Sequence, residues 1–186
     1  SERSRGLGDV YKRQILGSGC GGGLVINKKI ISGANGLAGE WSLNQMPLTN
    51  TPNLKSDKIL DFSNRLEGYL SGKSIEKRFN EQFNESISAK EIFSRYRKKD
   101  SNSILFINEY KDILARCLVI IVTTIDPDAI VFGGGISNEI DFLDQIKKKT
   151  SSFINEPNLK TVFLKPKYGD ASGVRGAAIL SRQSSI

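Results

Sequence analysis

The sequence predicts an α/β fold in which a mixed sheet is flanked by helices. Residues 102–125 carry the clearest pattern, since apolar side chains recur near helical spacing and the second half is apolar on every side. Pro127 ends that helix, and a short apolar strand over 129–132 follows. Three glycines, 133–135, separate this strand from a second helix over 140–154. A strand, a glycine turn and a helix in this order expose main chain to a ligand at the carboxyl end of the strand.

A glycine-rich hairpin is predicted earlier in the chain, where five of the seven residues 17–23 are glycine. Residues 24–26 read as a strand and residues 30–31 as its return across a turn. Clustered backbone N–H groups in a glycine turn can cradle phosphate. Plain tight turns have the same composition, and neither the G-x-G-x-x-G nor the P-loop pattern is present. A second cluster leads to a carboxylate beside a large ring, Glu40 and Trp41, through Gly33, Gly36 and Gly39.

The other elements follow from turn residues, caps and apolar spacing. We expect a loop over 42–56, a mainly helical stretch over 57–83 broken near Gly68 and Gly72, a basic amphipathic helix over 88–99, a strand over 161–164 and a last helix over 173–181. Ser88 with Glu91 three residues later forms a capping box. Asp170 or Ser172 caps the last helix, and for Asp170 a cap is a simpler role than catalysis.

The composition indicates one globular domain of 186 residues, with 27 Lys and Arg against 20 Asp and Glu and a net charge of +7. The basic residues are scattered, so we expect a solvated surface and no nucleic-acid partner. Cys20 and Cys117 lie far apart and imply no disulfide framework, which fits a reducing cytoplasm. Histidine is absent, and no apolar run reaches membrane-spanning length. We therefore expect no histidine base, no His–Cys zinc site and no membrane partner.

Three blocks of the sequence carry a family likeness. They are GSGCGGGLVIN with SGANGLAGEW at 17–41, IDPDAIVFGGGISN at 125–138, and GDASGVRGAAIL at 169–180. In this order they resemble the ROK family of bacterial sugar kinases and related repressors, and most of all its fructokinase- and glucokinase-like members. The resemblance implies the actin-like ATPase fold, in which two similar domains close around ATP and a sugar. It implies transfer of the γ-phosphate of Mg-ATP to a hexose hydroxyl or, as the alternative, a sugar-sensing transcriptional regulator without kinase activity.

The resemblance places residues 15–186 in the C-terminal kinase domain. The family's N-terminal domain carries an Asp-Gly-Gly phosphate loop and an Asn-Asp pair whose aspartate is the general base, and nothing upstream of Ile15 resembles either. We therefore expect that the N-terminal domain is missing and that this chain holds no catalytic residue. Residues 1–14 are polar and basic, and we expect an extraneous or non-native stretch, which the fold prediction leaves out. For the intact protein we expect a homodimer.

The resemblance also implies the ligand-binding residues. The donor's phosphates would be held by the main chain of Gly17, Ser18 and Gly19. The adenosine would pass over Gly133, Gly134 and Gly135. The sugar hydroxyls would donate hydrogen bonds to Glu40 and Glu67, and Trp41 would pack instead of stacking on the sugar.

The zinc cluster of many family members has no counterpart in this sequence. Leu43 stands where a histidine often follows the Glu-Trp pair, and no cysteine occurs between Trp41 and Glu67. The resemblance therefore implies ATP and Mg²⁺ as cofactors, with no zinc.

Overall fold

A computed structural model of the protein describes residues 10–16, 19–46 and 65–166. In these ranges one sheet contains the strands Val10–Leu16 (β1), Cys20–Ile26 (β2), Lys29–Ile31 (β3), Ala129–Gly133 (β4) and Val162–Leu164 (β5). The helices are Glu67–Leu70 (α1), Gly72–Phe83 (α2), Ala89–Arg97 (α3), Ser101–Ile125 (α4), Gly135–Glu139 (α5) and Leu143–Phe153 (α6), and a 3₁₀ turn covers Trp41–Leu43.

The sheet has the strand order β3-β2-β1-β4-β5. The hairpin strands β1, β2 and β3 pair antiparallel, whereas β4 lies parallel to β1 and to β5, so the predicted mixed sheet is confirmed. Leu16 pairs with Cys20, and Ile15 pairs with Gly133. The ends of β1 and β4 and the start of β2 therefore meet at one edge of the sheet. We call this edge, marked by Leu16, Cys20 and Gly133, the glycine edge.

Residues 10–14 lie in the sheet, although the fold prediction left them out. They form the first five residues of β1, which pairs with β2 on one side and with β4 on the other, so they do take part in the fold. Strand pairing is made by main-chain N–H and C=O groups, which every residue except proline has in full, so it does not show whether a sequence is native. The expectation that residues 1–14 are non-native therefore stays a prediction.

Helix α4 is the centre of the core and confirms the strongest helix prediction. Asp100 caps its start by accepting hydrogen bonds from Ser103 N at 2.9 Å and Ser103 Oγ at 2.8 Å. Asp126 ends it in the left-handed conformation at φ +46°. Its buried apolar side chains are Phe106, Ile107, Tyr110, Ile113, Leu114, Ala115, Cys117, Leu118, Ile121 and Val122. No helix in the described ranges is long and apolar enough to cross a membrane.

A buried lysine joins three helices behind the sheet. Lys111 of α4 is only 2% exposed. Its Nζ donates to Tyr96 OH at 2.6 Å, Gln145 Oε1 at 2.9 Å and Asn108 Oδ1 at 3.3 Å. The same atom lies 4.6 Å from the ring centroids of Tyr96 and Phe142. The three acceptors and two ring faces compensate the ammonium for lost water.

The helices before α4 follow their predictions with one shift. The stretch predicted over 57–83 breaks at Ser71, whose ψ of 155° is extended, and Gly68 lies inside α1. Residues 57–64 lie outside the described ranges. Ser88 caps α3 by accepting from Glu91 N at 3.2 Å, whereas the Glu91 carboxylate contacts Arg95 at 3.3 Å. The predicted cap is thus confirmed, with the carboxylate turned to a different partner.

The elements after α4 differ from prediction in two details. The strand and glycine turn at 129–135 are confirmed, but a five-residue helix, α5, follows the turn at once. The next helix, α6, begins at Leu143 and not at residue 140, because Ile140 has an extended backbone with ψ 109°. The predicted last helix and both of its candidate caps, Asp170 and Ser172, lie outside the described ranges.

Candidate functional site

Two carboxylates lie over the start of β2. Glu67 Oε1 accepts a hydrogen bond from Cys20 N at 3.4 Å, and it lies 2.9 Å from the place that a Cβ on Gly19 would occupy. Glu40 Oε2 lies 3.6 Å from the place of a Cβ on Gly21. The glycines leave room that side chains would fill, and the carboxylates occupy it. Glu40 and Glu67, which are 27 positions apart, are thus brought to the same stretch of main chain at the start of β2, and both side chains are exposed to solvent.

Gly39 sets the position of Glu40. It has φ +93°, and a Cβ there would lie 2.8 Å from Gly23 Cα, closer than real Cβ contacts come. Only glycine lets the two main chains approach so closely. The main chain then enters the 3₁₀ turn, where Trp41 N donates to Gly39 O at 2.8 Å. The tight approach therefore delivers Glu40 to the face of β2.

Trp41 packs beneath this segment, as expected. Its side chain is 3% exposed, and its indole Nε1 donates to Gly21 O at 2.8 Å. A buried indole N–H needs such a partner, and here the partner is the strand under Glu40. Trp41 consequently fixes the loop to the sheet and leaves the carboxylate free to face outward.

A glycine turn follows β4 at the same edge of the sheet. Gly133 ends β4, Gly134 has φ +90°, and Gly135 begins α5. Ser137 closes the turn with its N and Oγ donating to Gly134 O at 3.0 and 2.6 Å. A Cβ on Gly135 would meet no atom within 4 Å, so the space above this exposed residue is open to a ligand.

Strands β1 and β4 are paired at the glycine edge. Because Ile15 pairs with Gly133 in parallel register, the carboxyl ends of β1 and β4 lie side by side. Gly19 is described and lies under Glu67, while Gly17 and Ser18 lie outside the described residues. Among the six residues predicted to bind ATP, the four that are described all lie at the glycine edge: Gly19, Gly133, Gly134 and Gly135.

The contact between the segment after Glu40 and the residues before Glu67 was not predicted from the sequence. Gln45 and Arg65 form an antiparallel bridge, and Leu66 N donates to Asn44 O at 3.0 Å. These main-chain contacts join the segment that carries Glu40 to the helix that carries Glu67. The paired residues are far apart in the sequence, so no local pattern predicts their contact.

The family follows from the sequence model of the ROK family, which matches residues 13–184. This chain belongs to the ROK family. Two relatives are N-acetyl-D-glucosamine kinases, from Yersinia enterocolitica at 34% identity over 174 residues and from Mannheimia succiniciproducens at 38% over 172 residues. Each alignment covers 89% of this chain but only 56% and 57% of the relative. The chain thus spans little more than half the length of these relatives.

The solved structures agree on the fold. A ROK family glucokinase from Streptomyces griseus, in complex with glucose and AMPPNP, is 25% identical with a TM-score of 0.77, and the match covers 95% of this chain and 61% of that one. A ROK hexokinase from Thermus thermophilus gives 0.77 at 18% identity, covering 93% and 57% of the two chains. A ROK family transcriptional regulator gives 0.65 at 19%, covering 84% and 41%. The predicted actin-like ATPase fold is confirmed.

Proposed function

We propose that this chain is the C-terminal half of an ATP-dependent sugar kinase and that N-acetyl-D-glucosamine is its substrate. One observation carries the proposal: two exposed carboxylates, Gly19 and the glycine turn after β4 all lie at the glycine edge. The names of the relatives favour the N-acetylated hexosamine and do not confirm the fructokinase or glucokinase specificity that the sequence predicted. The regulator shares the fold, which does not by itself support a regulatory role.

The carboxylates suit the sugar side of the site. Each ionised carboxylate offers two oxygens that accept hydrogen bonds, and a sugar presents hydroxyl donors. In this proposal Glu40 and Glu67 hold the ring of the sugar and orient its reactive hydroxyl toward the donor.

The glycine turns suit the nucleotide side. Sugar kinases use ATP with Mg²⁺ in general, and the open space at Gly135 fits an adenosine lying against the main chain. The turn over 17–19, including Gly17, Ser18 and Gly19, would donate backbone N–H groups to the phosphates. Mg-ATP, when bound, supplies the phosphoryl group and the metal's positive charge.

The general base belongs, in this proposal, to a preceding N-terminal domain. A base must lie within hydrogen-bond reach of the hydroxyl that it deprotonates. Both candidate carboxylates of this chain are assigned to sugar binding, and Asp170 is predicted to cap a helix. Closure of the two domains would bring the base to the sugar and exclude water.

The test is a coupled ADP-release assay on the protein translated from the intact gene. The panel contains glucose, fructose, mannose, N-acetylglucosamine and N-acetylmannosamine. We expect ADP release that depends on sugar, with the highest kcat/KM for N-acetylglucosamine. Tight sugar binding without ADP release would contradict the kinase proposal and favour the regulator. A higher kcat/KM for glucose or fructose would contradict the proposed substrate alone.

A further inference from the structure

The helix that carries Glu67 is only four residues long. A single helical turn is not stable alone, because one hydrogen bond does not repay the ordering of its residues. The position of α1 is therefore imposed by its neighbours. Leu66 and Leu70, which flank Glu67, are both 0% exposed and anchor the turn in the core. These apolar contacts hold α1 near the sheet.

Ser74 ties α1 to the next helix. Its Oγ donates to Glu67 O at 2.9 Å and lies 2.8 Å from Ser71 Oγ, and Ser71 caps α2 by accepting from Ser74 N at 3.3 Å. At the other end of α1, Tyr110 OH donates to Leu70 O at 3.4 Å. The carbonyl of Glu67 itself is thus fixed by a side chain of α2.

Arg78 fixes the ring that follows Glu67. Its guanidinium lies 5.1 Å from the ring centroid of Tyr69 and 5.3 Å from that of Phe106, and Nη2 contacts Glu109 Oε1 at 2.7 Å. The side chains of Arg78 and Glu109 are only 21% and 19% exposed. Burial lowers the pKa of Arg78, and the carboxylate of Glu109 raises it again.

A charge in this place has a cost that apolar packing would avoid. Arg78 Nη1 is buried and has no hydrogen-bond partner within the described part of the chain. An apolar side chain would fill the same space without an unsatisfied N–H group. An apolar side chain would lack the rigid planar guanidinium, which lies against the rings of Tyr69 and Phe106 and binds the carboxylate of Glu109 in α4. The arrangement therefore specifies an orientation of Tyr69, two residues from Glu67.

We propose that Ser74 and Arg78 are positioning residues that set the place of the Glu67 carboxylate over Gly19 and Cys20. Neither side chain touches the sugar in this inference, which rests on the proposed function for its effect on catalysis. Glu67 contacts Cys20 N at 3.4 Å, so a small rotation of α1 breaks that contact before the fold is lost.

The first readout is independent of activity. In the isotope-labelled chain, the amide resonance of Cys20 reports on the Glu67 carboxylate, and Glu67→Ala gives its shift when the carboxylate is removed. We expect Ser74→Ala and Arg78→Lys to move this resonance in the same direction. Ser74→Thr keeps the hydroxyl and should restore it. Lys77→Ala is the matched control on α2, because Lys77 is exposed and its ion pair in the described part of the chain is the surface pair with Glu81 at 3.8 Å. An unmoved Cys20 resonance in both Ser74→Ala and Arg78→Lys overturns the inference.

The second readout is kinetic and uses the protein from the intact gene. We expect Ser74→Ala and Arg78→Lys to raise the KM for the sugar about fivefold or more and to leave the KM for ATP within twofold, with Ser74→Thr and Lys77→Ala unchanged. A lower thermal stability with an unchanged sugar KM would show a merely structural role and overturn the inference. If the unaltered protein releases no ADP with any sugar, the proposed function has failed, and the resonance of Cys20 still decides the inference by itself.

Discussion

Gly39→Ala tests the close approach that delivers Glu40 to the site. The new Cβ would lie 2.8 Å from Gly23 Cα and 3.0 Å from its N and C atoms, and main-chain atoms cannot swing aside as a flexible side chain does. The residue also has φ +93°, where L residues are strained. Gly36→Ala is the matched control, because Gly36 has φ +69° but an added Cβ would meet no atom within 4 Å.

The difference between the two variants measures the steric contact alone. The left-handed backbone costs about 1–2 kcal/mol for a residue with a Cβ, and this cost applies at both positions. Overpacking against Gly23 adds about 1–3 kcal/mol at residue 39 only. We therefore expect Gly36→Ala to lower the free energy of unfolding by about 1–2 kcal/mol and Gly39→Ala by about 2–5 kcal/mol.

Trp41 is the only tryptophan and reports on the same segment. Urea unfolding followed by its fluorescence gives the free energies. The emission maximum without urea shows whether the ring, 3% exposed in the structure, stays buried. We expect a red-shifted maximum in Gly39→Ala and an unchanged one in Gly36→Ala. Equal destabilisation of the two variants, with unshifted emission in both, would refute the role given to the contact between Gly39 and Gly23.

Three further predictions concern metal, pH and activity. Purified chain should contain no stoichiometric zinc, because the family's ligand cluster has no counterpart in the sequence, and about one equivalent by elemental analysis would refute this. The hydrogen bonds from Ser103 lower the pKa of Asp100, so its contribution to stability is present above the unfolded pKa of about 4 and is lost as the pH falls through the folded pKa. The difference in urea midpoint between wild type and Asp100→Asn should therefore become smaller as the pH falls from 7 to 2.5. A difference that does not change with pH would contradict this contribution of the Asp100 carboxylate. The 186 residues alone should release no ADP with ATP and any hexose, and turnover by this short chain would mean that it holds its own base.

The elements that the sequence predicted correctly are those with a strong local pattern. In α4, apolar spacing and a clear end marked the helix, and β4 was marked by an apolar run between a proline and three glycines. Breaks were expected near Gly68 and near Gly72. The structure has its break at Ser71, between α1 and α2, and Gly68 lies within α1. Glycine weakens a helix by only about 1 kcal/mol, and buried neighbours such as Leu66 and Leu70 outweigh that.

The candidate site could be predicted only through the family resemblance. Glu67 looks like an ordinary helix acid in the sequence, and what distinguishes it is the contact with Cys20 N, 47 positions away. Its convergence with Glu40 depends on the pairing of β1 with β2 and on the contact between Gly39 and Gly23. Long-range pairing of this kind follows from the packed fold and has no local periodicity.

The most direct test of the central claim compares the two Michaelis constants of Glu40→Ala and Glu67→Ala in the protein from the intact gene. In the proposed function each substitution removes acceptors for sugar hydroxyls, a loss of about 1–3 kcal/mol or roughly 5- to 150-fold. We predict that the KM for the sugar rises by such a factor in each variant while the KM for ATP stays within about twofold of wild type. An unchanged sugar KM in both variants, or a rise confined to the KM for ATP, would contradict the assignment of these carboxylates to the sugar.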